Sequence, residues 1–151
     1  MLGVDVGTRR IGLAVSDATG TLATPLRTLE TTGSIRDAIH RVAPIVRSLA
    51  AGEDGLARVV VGLPMRLDGE DAPWTDRVRA FARALGRAVD VPIVLQDERL
   101  SSREADARLA VGERDWRTRK ARLDAAAAAV ILQDHLDTRR AEAPAPVPRD
   151  S

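Results

Sequence analysis

The sequence predicts an α/β domain on a mixed five-stranded sheet, an antiparallel meander followed by parallel strands, with helices flanking it. Three observations predict it. Three β-type runs open the chain with only short connections between them. Two later apolar runs, at 59–61 and 91–96, are separated by a long stretch of helical periodicity. The 151 residues are 44% hydrophobic and 30% charged, which suits one core of ordinary composition and excludes a chain disordered throughout.

Residues 2–6 and 11–16 are the first two strands, joined by Gly7-Thr8-Arg9-Arg10, a hairpin by its length although not by Asn-Gly chemistry. A third strand at 22–29 is interrupted by Pro25. Ser34 offers an N-cap to a helix whose apolar face is Ile35, Ala38, Ile39, Val42, Ile45, Val46 and Leu49, with Pro44 a kink or boundary. Val59, Val60 and Val61 form a β-branched run of the kind buried on both faces. A polar loop at 67–73, a helix at 75–89, a second buried strand at 91–96 and helices at 102–110 and 118–139 follow. The domain is expected to span 1–140, and the Ala/Pro-rich residues 141–151 to form a disordered tail.

Composition removes several function classes. With no cysteine there is no disulfide, no Cys-zinc or iron–sulfur site and no thiol nucleophile. His40 and His135 are the only histidines, so a metal would be held mainly by carboxylates, which select hard cations such as Mg²⁺ or Mn²⁺. Phe81, Trp74 and Trp116 are too few for a base-stacking sheet. No serine sits in a G-x-S-x-G elbow. No apolar run approaches the roughly 20 residues of a membrane span, and no signal segment precedes the first strand, so a cytoplasmic protein with no membrane partner is expected.

Carboxylates stand where they cost energy. Asp5 lies mid-strand between Val4 and Val6, where an uncompensated carboxylate costs several kcal/mol, so a partner, a metal or backbone amides must satisfy it. Alternation puts it on one face with Gly3 and Gly7. Symmetric closure of the hairpin sets it opposite Gly12, with Ala14 and Ser16 continuing a small-residue surface. Asp124 is the one charge in the apolar run 123–132. Its i+3, i+4 and i+7 neighbours, Ala127, Ala128 and Ile131, turn it inward along a packed helix face, the alternative being a first-turn aspartate stabilised by the helix dipole, which an N-cap at Thr118 makes less apt. Asp97 and Glu98 follow the fifth strand and point to opposite faces, so either one, but not both, can join a site there. Asp17, before Ala18-Thr19-Gly20, reads as turn chemistry.

The net charge of +1 is uninformative, but residues 114–122 hold Arg114, Arg117, Arg119, Lys120 and Arg122 against Asp115 alone. Such a patch attracts phosphates, or is simply a solvated face. Arg9 and Arg10 at the hairpin tip are further phosphate contacts. Trp116 is read as an anchor of the loop before the last helix, with base stacking as the alternative.

Four segments, LGVDVGTRRIGLAVSD (2–17), VVVGLP with RLDG (59–69), DERLSSREA (97–105) and KARLDAAAAAVILQDHL (120–136), resemble the YqgF (RuvX) family of RNase H-like nucleases. Its members are described as Holliday junction resolvases and as pre-16S rRNA nucleases. Ser102 stands where a threonine is common, and the first strand begins almost at the start of the chain. The resemblance implies an RNase H-like fold and a catalytic, metal-binding acidic set on Asp5, Glu98 and Asp124, which selects Glu98 over Asp97. It implies two divalent ions, Mg²⁺ or Mn²⁺, and hydrolysis to 5′-phosphate and 3′-hydroxyl ends. Lys120 would contact the scissile or adjacent phosphate, with Arg117, Arg119 and Arg122 on the flanking backbone. Glycines near Asp5 and Gly62 would admit a phosphate chain close to the sheet.

The expected function is therefore a metal-dependent nuclease in 5′-end processing of pre-16S rRNA, its partners RNA or branched DNA and pre-ribosomal particles. Junction resolution is the alternative, and it would need a two-fold dimer; monomer and homodimer are both open. A non-catalytic nucleic-acid-binding assembly factor is a further reading. GVDVGTRRIG also resembles the first phosphate loop of the actin, sugar-kinase and Hsp70 superfamily, whose two-domain nucleotide cleft needs more chain than 151 residues.

Overall fold

The structure, a computed structural model, describes residues 1–66, 68–98 and 116–142, with side chains of the last segment described from residue 123. β1 (Leu2–Val6) and β2 (Arg10–Ser16) pair antiparallel, and the hairpin closes with Asp5 opposite Gly12 and Gly3 opposite Ala14, as the symmetric turn predicts. β3 (Ala23–Glu30) continues the meander at the sheet edge. Its register shifts at Leu13/Ala14, where Pro25 faces Ala14 and Arg27 faces Leu13. Leu26 is the extra residue of a bulge, and an edge strand is where a proline without an N–H is tolerated.

β4 (Val59–Leu63) pairs parallel with β1, and β5 (Ile93–Asp97) parallel with β4, giving the order β3-β2-β1-β4-β5. β4 is buried as its valine run predicts. β5 is a correction: read as a buried strand, it is the edge of the sheet, with Leu95 43% exposed.

α1 (Ile35–Ala51) starts at Ser34, whose hydroxyl accepts from the Asp37 N–H at 3.0 Å. It runs unbroken through Pro44 rather than ending there, because the apolar stripe on both sides of the proline, Ala38, Val42, Ala43 and Val46, is buried as one surface. α2 (Thr75–Ala88) lies beside it and buries Val78, Phe81, Ala82 and Leu85. Both cover the sheet face formed by Leu2, Val4, Val6, Ile11, Leu13, Val59 and Val61.

The last helix, α3 (Trp116–Glu142), lies on the opposite face, where Ala128, Ile131, Leu132 and Leu136 meet Ala14 and Val60. It is longer than the predicted 118–139. Trp116 is therefore its first residue rather than part of a preceding loop, and the helix continues two residues past the expected domain end at 140. The predicted helix at 102–110 and the rest of the predicted tail lie outside the described residues.

Candidate active site

The small residues of β1, β2 and β4 exist for α3. A Cβ on Gly12 would stand 1.9 Å from the Asp124 carbonyl oxygen, and one on Gly3 2.8 Å from the Leu132 Cβ. No side chain fits in either space, so the helix backbone lies directly on the sheet. This corrects the reading of these glycines as room for a phosphate chain: helix α3 occupies that room. The close approach fixes Asp124 in the third turn of α3, beyond reach of the helix's N-terminal dipole and next to the strand pair that carries Asp5.

The three sequence-predicted acids lie there as two neighbouring pairs, Asp5 with Asp124 and Glu98 with Asp5. Asp5 extends from the centre of β1 on the α3 face, is partly buried, and feels the charge of Asp124. Glu98 follows β5, and its N–H donates to the Leu63 carbonyl at 3.1 Å, extending the parallel ladder by one residue. That residue turns its side chain under α3, where Oε2 lies 2.8 Å from the position of a Gly62 Cβ. Asp97 is exposed.

The electrostatics are those of carboxyls taken out of water and, secondarily, set beside like charges. Burial, and then the charge of Asp124, pushes the Asp5 carboxyl up to about 7. Burial first, then Asp5 and Asp97, pushes Glu98 up to about 8. The Glu98 Oε2 atom is buried and accepts no hydrogen bond among the described residues. A carboxylate oxygen in that position costs about 1–3 kcal/mol or more unless a cation or a proton satisfies it.

Asp124 has a compensating cation. The Arg10 Nε donates to Asp124 Oδ2 at 2.7 Å, and both side chains are 27% exposed. Arg10 and Gly12 are two residues apart on β2 and share the face on which α3 lies, which places the guanidinium beside the Asp124 carboxylate. Arg10, read from sequence as a phosphate contact, thus meets an acid 114 residues away, and no local pattern announces such a pair. Arg9 is exposed at the hairpin tip. Arg117, Arg119, Lys120 and Arg122 fall in the first two turns of α3, and their side chains, like that of Trp116, lie outside the described residues.

An all-carboxylate donor set with an unsatisfied buried oxygen and two carboxyls shifted upward suits a hard divalent cation, which would relieve the repulsion and displace the protons. As they stand, no three metal-ligating side chains among the described residues converge on one ion.

Two residues to which the sequence reading gave no role tie the segment before α2 to the ends of β1 and β4. The Trp74 indole N–H donates to the Val6 carbonyl at 3.0 Å, and the Arg77 guanidinium stacks 4.8 Å above its ring. Thr75, fully buried, accepts from the Ala72 N–H at 2.7 Å and donates to the Pro64 carbonyl, which fixes the loop between β4 and α2. A tryptophan and threonine just before a helix are the only local signals for this arrangement. Asp17 accepts from the Thr21 N–H at 2.8 Å, the Leu22 N–H at 3.2 Å and the Thr19 hydroxyl at 2.9 Å, which is the turn chemistry expected of it.

Residues 1–138 match the RuvX family, described as Holliday junction resolvase. A protein of Chloroflexus aurantiacus is 43% identical over 93% of this chain and 88% of its own length. One of Nocardioides sp. is 44% identical over 96% of this chain and 92% of its own. Both carry the provisional name pre-16S rRNA nuclease. Thermus thermophilus RuvC, solved in complex with a Holliday junction substrate, shares the fold at a TM-score of 0.52 and 18% identity, over 93% of this chain and 96% of RuvC. The fold is thus RNase H-like.

Proposed function

Because this chain belongs to the RuvX family, we propose that it is a metal-dependent nuclease acting in 5′-end processing of pre-16S rRNA in the cytoplasm. The observation that supports this most is the burial of Asp5 and Glu98 beside like charges, with a Glu98 oxygen left unsatisfied among the described residues. Proteins hold carboxylates against their preference chiefly where chemistry needs them.

In this reading Asp5, Glu98 and Asp124 hold two divalent ions, Mg²⁺ or Mn²⁺. When bound, such ions polarise the scissile phosphate and acidify the attacking water. The residues of the chain do the rest. Asp5, on a strand paired on both sides, and Asp124, on a helix seated against glycine, fix the donor oxygens on rigid elements. Arg9 and the first turns of α3, with Arg117, Arg119, Lys120 and Arg122, hold phosphates flanking the cut. Hydrolysis leaves 5′-phosphate and 3′-hydroxyl ends.

The test is cleavage of end-labelled single-stranded RNA, duplex DNA and a four-way junction with Mg²⁺, Mn²⁺ or EDTA, comparing wild type with Asp5→Asn. Metal-dependent cutting of RNA that drops by at least about 100-fold in the variant is expected. Equal cutting by the variant, or cutting in EDTA, overturns the assignment. The family's description favours junction resolution as the second reading. It predicts preference for the four-way junction and a two-fold dimer that presents two sites.

A further inference from the structure

The Arg10–Asp124 pair sits inside the proposed metal site and is not explained by it. Arg10 is the first residue of β2, and its guanidinium reaches across the sheet face to the one acid of the site that α3 supplies. Asp5, opposite Gly12 on the neighbouring strand, feels the charge of Asp124, and among the described residues the ion pair of Arg10 is with Asp124. The cation therefore neutralises one carboxylate of the cluster and leaves the repulsion on Asp5 and Glu98 in place. A divalent ion shared by Asp5 and Asp124 would draw on the carboxylate that Arg10 now neutralises.

We propose that Arg10 is a positioning residue that latches Asp124 in the metal-free protein and competes with the divalent cation for it. Metal loading frees the guanidinium at the mouth of the site, where a phosphate of the nucleic acid is its next partner. By linkage, nucleic acid that draws Arg10 away favours metal binding, and metal that releases Arg10 favours nucleic acid. The inference rests on the reading of Asp124 as a metal ligand, and the two can fail separately.

Mn²⁺ affinity measured by calorimetry without nucleic acid tests both. Arg10→Gln removes the competitor. The pair is one-quarter exposed, and such ion pairs contribute on the order of 1 kcal/mol, so Mn²⁺ should bind about five-fold more tightly. Asp124→Asn should weaken it at least about ten-fold. In the wild-type protein, Mg²⁺ should move the Arg10 Nε–H resonance from its hydrogen-bonded position to that of a solvent-exposed guanidinium. Unchanged or weaker Mn²⁺ affinity in Arg10→Gln, with Asp124→Asn impaired, overturns the latch alone. So does an Nε–H signal that stays hydrogen-bonded at saturating Mg²⁺. Wild-type affinity in Asp124→Asn overturns the metal-site reading beneath it.

Discussion

Asp5 holds its proton at a pH where an exposed aspartate has long lost it, and this has a consequence for stability. The folded-state carboxyls of Asp5 and Glu98, pushed up to about 7 and about 8, bind protons that the unfolded chain, with ordinary carboxyls near 4, has released. The folded state therefore binds more protons between about pH 4 and 8, and stability falls as pH rises through that window. Thermal melts in EDTA should give a Tm several degrees lower at pH 8 than at pH 5.5. Asp5→Asn should flatten this dependence and melt a few degrees above wild type at pH 8, and Mg²⁺ should raise the wild-type Tm at that pH. A protein that gains stability from pH 5.5 to 8 in EDTA would contradict the crowding of these acids. Asp5 and Asp124 were legible in the sequence because a charge inside an apolar run is anomalous wherever it stands. Glu98 was legible only as one of a pair with Asp97, since alternation says that two neighbours diverge without saying which faces the helix.

The elements depend on contacts that a single added methyl group can break. Gly12→Ala sets a Cβ 1.9 Å from the Asp124 carbonyl, backbone against backbone, and neither can yield by rotating a side chain. Helix α3 must lift from β2, at a cost of about 3 kcal/mol or more in urea unfolding, and the same shift should separate Asp124 from Asp5. Gly62→Ala should be milder, because its nearest neighbours are the Ile131 Cδ1 and the Glu98 carboxylate, ends of side chains that can move. At the start of α2, Thr75→Val removes the hydroxyl that pairs the part-buried Ala72 N–H and Pro64 carbonyl, worth about 1 kcal/mol in urea unfolding. Element order and type could be read from periodicity, including the N-cap at Ser34. The continuity of α1 through Pro44 could not, since burial on both sides of the proline outweighs its local preference.

At the scale of the whole molecule, one helix joins the two halves of the proposed activity. α3 begins in a run of basic residues, carries Asp124 over the sheet, and packs Leu136 into the core before it ends at Glu142, so the proposed substrate grip and chemistry share one rigid body. The chain's net charge is only +1, and its attraction for nucleic acid is therefore local. Affinity for single-stranded RNA should fall with salt as a small number of phosphate contacts, each about 0.7 in the log–log slope, and Arg9→Gln should reduce that slope by about one contact. An unchanged slope in this variant would remove Arg9 from the contacts.

The sequence by itself determined the two-sided sheet, the order of its elements and the identity of the acids worth suspecting. All of these follow from patterns that repeat within a few residues: alternation along strands, the helical period, and charge amid apolar neighbours. Only the tertiary structure decided that Gly3 and Gly12 seat a helix, that β5 is an edge, and that Arg10 holds Asp124. Those facts belong to pairs of residues far apart in the chain, and what brings them together is the packing of α3 across the sheet rather than any preference either residue expresses locally.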